Sequence, residues 1–346
     1  MAAPNLLCDT KGMTMEQWLA CRMHGPKGDI DYTVGGSDVA TIFGLSPWTT
    51  PLELWRIKKK QMKPTISANA DQLEMGHLME PIAAHWYAKK TGNTVAVDTG
   101  LYQHSDFPYA LANIDRRFVE SSGAEGILEC KSTTYHKASD WAEGAIPVYY
   151  EMQLRFYLAV MDVEIGDFAC LWGNNPNTDL AKPRLLRDKF KEESIFEKLD
   201  EWIWSLKNDK PPTMADVNPQ LAMESLAKIY GASKTGLPSI EFPKKFENAL
   251  RCIAKLQTEN SEYQQAVKKN EKEILAHSVR IAELMQEHEH GVLETTTDKL
   301  LIDFATKTTR RVNSDLLKTN HPNVYMECLK ASESRKVKVR IEKVAV

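Results

Sequence analysis

The stretch Ile127-Leu128-Glu129-Cys130-Lys131 constrains this chain more than any other. A β-strand sends successive side chains to opposite faces, so Glu129 and Lys131 share one face and Leu128 and Cys130 the other. Two apolar groups can then enter a core while an acid and a base project together. Upstream lies Ile114-Asp115-Arg116, and between the two runs Glu120-Ser121-Ser122-Gly123-Ala124-Glu125-Gly126, small and polar enough to close a hairpin. Such a hairpin would carry Asp115 back beside Glu129, bringing two carboxylates and one ammonium to one point. That grouping suits cleavage of a phosphodiester, which needs a neutralised phosphate, an activated water and a stabilised leaving oxygen. Mg²⁺ held by carboxylates serves the first and third needs. A neighbouring lysine can hold or deprotonate the water, more readily where burial lowers its pKa. An E-x-K triplet alone is equally an ordinary surface hairpin, so the rest of the chain has to decide.

With 346 residues the chain exceeds one average domain. No apolar run approaches the roughly 20 residues of a bilayer span, so no membrane contact is expected. The opening Met1-Ala2-Ala3-Pro4-Asn5-Leu6-Leu7-Cys8 lacks a basic region followed by a long apolar core, which argues against a secretory signal. Six cysteines occur without any C-x-x-C, which disfavours a zinc ribbon, an iron–sulfur cluster or a disulfide framework. Reduced thiols in the cytoplasm are the expectation. A net charge of −3 is not that of a protein coating nucleic acid, yet it is compatible with a nuclease that has one local basic channel.

Taken in order, Met15–Arg22 predicts a short helix anchored by Trp18 and Leu19 and ended by Gly25-Pro26-Lys27-Gly28. Gly35-Gly36-Ser37 predicts another, with Ser37 as N-cap and Gly44 as its stop. Backbone N–H groups at such a start, with the serine hydroxyl, can hold a phosphate, although most capped helices bind nothing. Thr50-Pro51 opens a third helix. Trp48, on the turn before it, suits either a stacked base or a plain surface position. Asp71–Lys90 reads as a longer helix whose apolar face is Leu73, Leu78, Ile82, Ala83 and Trp86. Pro81 within it leaves an earlier carbonyl without its partner and predicts a kink at Glu80. An acid beside that proline is either functional or a solvent-facing residue at a helix junction.

Short strands are predicted at Val95–Val97, Leu101-Tyr102 and Tyr109–Ile114. Pro147–Val160 is a helix with Tyr150, Gln153 and Tyr157 on one stripe. A buried glutamine both donates and accepts, which suits positioning a water or a phosphate oxygen. Glu164–Leu171 reads as a strand and Ser194–Leu206 as a helix. Residues 1–210 therefore form one domain, and the Pro- and Gly-punctuated residues 211–243 read as a linker. Residues 244–346 form an extension. Its heptads place Phe246, Ile253, Val267, Ile274 and Ile281 at one seam position and Ala249, Leu256, Tyr263 and Leu284 at the other. Asn260, Asn270 and His277 interrupt that seam, so a long helix is better supported than a coiled coil. The tail alternates like a strand, with Lys336, Lys338 and Arg340 on one face. That face suits DNA phosphates or an ordinary solvated sheet edge.

Several segments together resemble one family. Trp18-Leu19-Ala20-Cys21-Arg22, Gly35-Gly36-Ser37-Asp38-Val39-Ala40, Leu45-Ser46-Pro47-Trp48 and Thr50-Pro51-Leu52-Glu53-Leu54-Trp55 look like the opening of the YqaJ-like viral recombinases. These are relatives of phage lambda exonuclease in the PD-(D/E)xK nuclease superfamily. Gly76-His77-Leu78-Met79-Glu80-Pro81, Asp115, Glu129-Cys130-Lys131 and Gln153 with Tyr157 follow in the family's order, so the resemblance spans about residues 15–210. It implies an α/β restriction-endonuclease-like core, a mixed sheet flanked by helices, here followed by the long-helix and β extension. It implies Mg²⁺-dependent 5′-to-3′ digestion of linear double-stranded DNA, with Mn²⁺ as an alternative ion. Asp115, Glu129 and Glu80 would ligate the metal, Lys131 would act on the water, and Gln153 would support the site. Arg22 and Ser37 match the 5′-phosphate pocket.

Trp48, Tyr157, Lys336, Lys338 and Arg340 are further candidate DNA contacts. The family also implies a toroidal homotrimer, a single-strand annealing protein as partner, and a phage or prophage setting in a bacterial cytoplasm. Two departures stand out. Asn113-Ile114 and Arg116 replace the usual neighbours of the aspartate, and Arg155 stands where a second glutamine is common. An endonuclease on the same core and a non-catalytic DNA or assembly protein are the competing readings.

Overall fold

A computed structural model describes residues 3–64, 70–214, 216–329, 337 and 339. The chain divides into two compact units, Met1–Gly231 and Ala232–Val346. The first begins with β1 (Asn5–Asp9), α1 (Met15–His24), β2 (Val34–Gly35), α2 (Gly36–Ile42), α3 (Pro51–Lys58) and α4 (Ala70–Thr91). Strands β3 (Thr94–Val97), β4 (Gly100–Gln103), β5 (Ala110–Ala112), β6 (Arg116–Val119) and β7 (Glu125–Ser132) follow. After a 3₁₀ stretch at Tyr135–Gly144 come α5 (Val148–Met161), β8 (Ile165–Leu171), β9 (Leu180–Ala181), β10 (Arg184–Leu186), α6 (Lys189–Lys207) and α7 (Pro219–Tyr230).

The larger sheet runs β10-β8-β7-β6-β3, with β9 also on β8. Its pairs are antiparallel except β7 with β8. Parallel neighbours need a crossover, and α5 provides it. A smaller sheet runs β1-β4-β5-β2. Alternation along β7 divides its side chains between two cores. Leu128 and Cys130 pack with Phe118, Ala169 and the Ala83, Ala84 and Tyr87 side chains of α4. Ile127 joins Phe168, Leu154 and Leu158 of α5, and Leu199 and Trp202 of α6. The result is the mixed sheet flanked by helices that the resemblance implies.

Three expectations change. Helix α4 runs unbroken through Pro81, and its buried face is Ala83, Ala84 and Tyr87, while Leu78 and Ile82 are exposed. A helix of this length carries apolar residues on more than one stripe, and the sheet beneath selects which is covered. The first unit extends past residue 210, because α7 packs into it. There Ser225 shares a hydrogen bond of 2.8 Å with Thr50, and Lys228 pairs with Glu53. The segment expected as linker therefore contains a helix.

In the second unit, α8 (Glu247–Met285) supplies the long helix. A hairpin of β11 (His290–Glu294) and β12 (Lys299–Asp303) follows, then α9 (Ser314–Asn320) and α10 (Pro322–Cys328). Lys336, Lys338 and Arg340 lie outside the described residues.

Candidate active site

The β6–β7 hairpin closes through Glu120–Ala124, where Gly123 takes the positive φ of the turn, and it returns the chain to Glu129 as the spacing predicted. Asp115 sits just before β6, and its Oδ2 accepts the Cys130 N–H at 2.8 Å. That bond ties the aspartate to the strand between Glu129 and Lys131. Its loop is held despite the departures from the family pattern. Ile114 is buried, Asn113 accepts from the Trp18 indole at 3.0 Å, and Arg116 donates to the Asp115 carbonyl at 2.7 Å.

Glu129 is 1% exposed. Its Oε1 accepts from Lys131 Nζ at 2.5 Å and Gln153 Nε2 at 2.6 Å, whereas its buried Oε2 has no partner among the described residues. Burial first, then repulsion from Asp115 and more weakly Glu80, pushes the Glu129 carboxyl well above the usual range against the pull of Lys131. Burial alone would lower Lys131, but Glu129 and Asp115 outweigh it and hold the ammonium charged. Its Nζ also lies 5.0 Å from the Tyr150 ring centroid, a cation–π contact invisible in the local sequence. Glu80 projects from α4 and bonds His77 at 3.0 Å; burial and Asp115 raise its carboxyl.

The acids are thus close enough to shift one another. Each is turned to an internal partner, and no three His, Cys, Asp or Glu side chains stand at metal-ligand spacing among the described residues. The residues nonetheless fit a hard divalent cation. They offer carboxylate oxygens, one of them buried and unpartnered, in a place where negative charges oppose each other.

Adjoining this centre is a cavity of about 340 Å³ whose lining includes Arg22, Ser37, Trp48, Tyr149, Tyr150 and Gln153. Helix α1 is set by a capping box: Thr14 Oγ1 accepts from Gln17 N at 3.2 Å and Gln17 Oε1 from Thr14 N at 2.9 Å. Arg22 in its last turn lies over the Trp18 ring and donates from Nη2 to Ser37 Oγ at 2.8 Å. Ser37 is not the N-cap. Helix α2 starts at Gly36, and the Gly35 N–H is satisfied by Asp38 Oδ2 at 3.0 Å. Trp48 is 57% exposed and meets Tyr149 edge-on, with ring centroids 4.9 Å apart. Tyr157, expected as a DNA contact, is instead buried beneath Gln153, which donates to its hydroxyl at 3.2 Å. Arg155 pairs with Glu151 and is buried away from this cavity. A larger cavity of about 720 Å³, lined by Phe43, Trp202 and Trp204, contains none of the predicted site residues.

Residues 17–164 match the model of the YqaJ-like viral recombinase domain. All the site residues just described fall inside it. The uncharacterized protein YqaJ of Bacillus subtilis (strain 168) is 26% identical over 338 residues, 97% of this chain and 97% of that protein. Among solved structures, an alkaline exonuclease (LHK-Exo) from Laribacter hongkongensis is similar at TM-score 0.46 and 18% identity, over 57% of this chain and 94% of its own. A phage related exonuclease from Haemophilus somnus 129PT gives TM-score 0.38 at 11% identity, over 51% and 92%.

Sequence reasoning placed Tyr150 on the Gln153 stripe without giving it a role, and missed Asp38 and Lys58 at this site. Asp38 follows Ser37 directly and was within reach of a local reading. Lys58 was not, because its partner lies on another helix.

Proposed function

We propose that this protein is a Mg²⁺-dependent 5′-to-3′ exonuclease on linear double-stranded DNA, acting in phage-type homologous recombination and leaving 3′ single-stranded overhangs. One observation carries the reading: Asp115, Glu129 and Lys131 meet at one end of β7, with Gln153 reaching from Glu129 into the Arg22–Ser37 cavity. The match of residues 17–164 to the recombinase-domain model supports it independently. Asp115 and Glu129, with Glu80, would hold Mg²⁺ or Mn²⁺. The ion supplies charge neutralisation at the scissile phosphate and acidifies the attacking water.

Lys131 is an ammonium in this arrangement, so it donates hydrogen bonds to the water or the reacting phosphate. Were a cation held by Glu129 and Asp115, it would weaken the two interactions that raise the Lys131 pKa and so favour the amine as a base. Gln153 fixes Glu129 through one amide and is itself braced by Tyr157. Arg22 and Ser37 would bind the 5′-terminal phosphate, and an end anchored there places the next phosphodiester near the acids. Trp48 on the cavity rim suits a terminal base. A toroidal trimer and delivery of the overhang to a single-strand annealing protein extend the proposal from the family resemblance alone.

Digestion of end-labelled linear and closed circular duplex, with and without Mg²⁺, tests it. The expected result is Mg²⁺-dependent loss of the 5′-labelled strand with the circle intact. Nicking of the circle would make the protein an endonuclease, and no cleavage of either would make it a scaffold.

A further inference from the structure

Below the Arg22–Ser37 contact lies a pair of charges that this reading leaves unused. Lys58, in the last turn of α3, is 6% exposed, and its Nζ is 2.9 Å from Asp38 Oδ2. The same oxygen accepts the Gly35 N–H. A buried ion pair is a poor device for stability alone, because desolvating both charges offsets most of their attraction. Its position gives it another use.

Arg22, Ser37, Asp38 and Lys58 all line the one cavity beside Gln153. Gly35 lets them converge: a Cβ there would lie 2.6 Å from Arg22 Nη2, so the guanidinium rests directly on the backbone next to Asp38. Two cations and one anion leave a net charge of +1 at the cavity wall. A phosphate monoester brings about −1.5 to −2 at neutral pH, against −1 for an internal diester. One guanidinium whose charge is shared with Asp38 would leave much of that unmatched. Lys58 has three N–H donors, of which Asp38 takes one.

We propose that Lys58 is a second cationic ligand for the 5′-terminal phosphate monoester of DNA, acting with Arg22 and Ser37, and that Asp38 is the counter-ion that keeps it in the cavity wall. The inference rests on the exonuclease reading and deepens it. It strengthens the preference for a phosphorylated over a hydroxyl end, because a hydroxyl brings no charge to the pocket whereas the monoester brings about −1.5 to −2.

The test is fluorescence anisotropy of the full chain in EDTA with blunt duplexes ending in 5′-phosphate or 5′-hydroxyl, so that binding is read without hydrolysis. The wild type should bind the phosphorylated end more tightly. Lys58→Met should lower that preference roughly 10- to 100-fold, the effect of losing a hydrogen bond to a charged group. The double variant Asp38→Asn/Lys58→Met removes both charges and leaves neither stranded, which protects the fold. Its phosphate preference should stay lost while its melting temperature stays near that of the wild type. A wild-type preference retained in either variant, or restored in the double variant, would show the pair to be structural and overturn the inference. A wild type that digests linear duplex from 5′ ends yet binds both ends equally would overturn it alone. Absence of Mg²⁺-dependent digestion would instead remove the exonuclease reading.

Discussion

Two buried carboxylates lie almost side by side on adjacent strands of the larger sheet and are treated in opposite ways. In the β7–β8 register Leu128 pairs with Asp167 and Glu129 with Phe168, so the two acids are one rung apart and face opposite cores. Asp167 is 4% exposed and satisfied on both oxygens. Oδ1 accepts from Arg184 Nε at 2.7 Å, and Oδ2 from Tyr87 Oη at 2.5 Å and Arg184 Nη2 at 2.8 Å. Glu129 crowds two donors onto one oxygen, leaves the other without a partner among the described residues and faces a second acid. A buried charge with complete bonding is part of the architecture. One left incomplete beside a like charge is a place where a ligand can gain binding energy.

The sharpest way to break that contrast is to remove each acid's function in turn. Glu129→Gln and Lys131→Ala should each lower Mg²⁺-dependent cleavage by about 10²–10⁴-fold in single-turnover digestion. Asp167→Asn, whose site is on the other face, should act on stability instead. It should cost about 2–3 kcal/mol in urea unfolding, because it weakens charge-assisted bonds to a buried group. Glu129→Gln should cost less, since it relieves the repulsion from Asp115 and still offers Lys131 and Gln153 an acceptor oxygen. Equal stability losses in the two variants would erase the distinction.

A smaller effect is expected where the site's helices press together. A Cβ on Gly36 would stand 2.5 Å from Cε1 of the buried Tyr157 ring, so Gly36→Ala must displace the brace of Gln153. Overpacking of this kind costs about 1–3 kcal/mol. At Gly35 the obstacle is the far end of the Arg22 side chain. Gly35→Ala should therefore leave the melting temperature higher than Gly36→Ala does.

The smallest signal is in pH. Glu129 is held above its usual range, so its stabilising contribution is present below the unfolded value of about 4.3 and lost as pH rises through the folded one. Asp38 behaves oppositely. Burial works against its charge, but Lys58 and Arg22 hold it below the usual range, so its contribution is lost as pH falls through the folded value. A cation that neutralises Glu129 should therefore raise the melting temperature by more at alkaline than at acidic pH, by a few degrees. Thermal melts with and without Mg²⁺ across pH read this directly, and Glu129→Gln should abolish the difference. A Mg²⁺ effect independent of pH would detach the ion from Glu129.

Local geometry made much of this legible before any fold was known. The two-residue period of a strand is enough to put Glu129 and Lys131 on one face and Leu128 and Cys130 in a core. The α-helical repeat likewise aligns Gln153 with Tyr157, and Thr50-Pro51 opens α3 as its cap chemistry requires. Rotation of a helix about its axis is not a local property. The sheet chose Ala83, Ala84 and Tyr87 of α4 over Leu78 and Ile82, because only one stripe of an apolar helix can be covered by a single partner. Nor could the chain's order say that Lys58 would come to Asp38 from twenty residues away, or that one oxygen of Glu129 would be left without a partner among the described residues. Periodicity and capping act over a turn or two of backbone. Ion pairing and desolvation depend on which surfaces the packed chain removes from water, and those are decided only when distant segments meet.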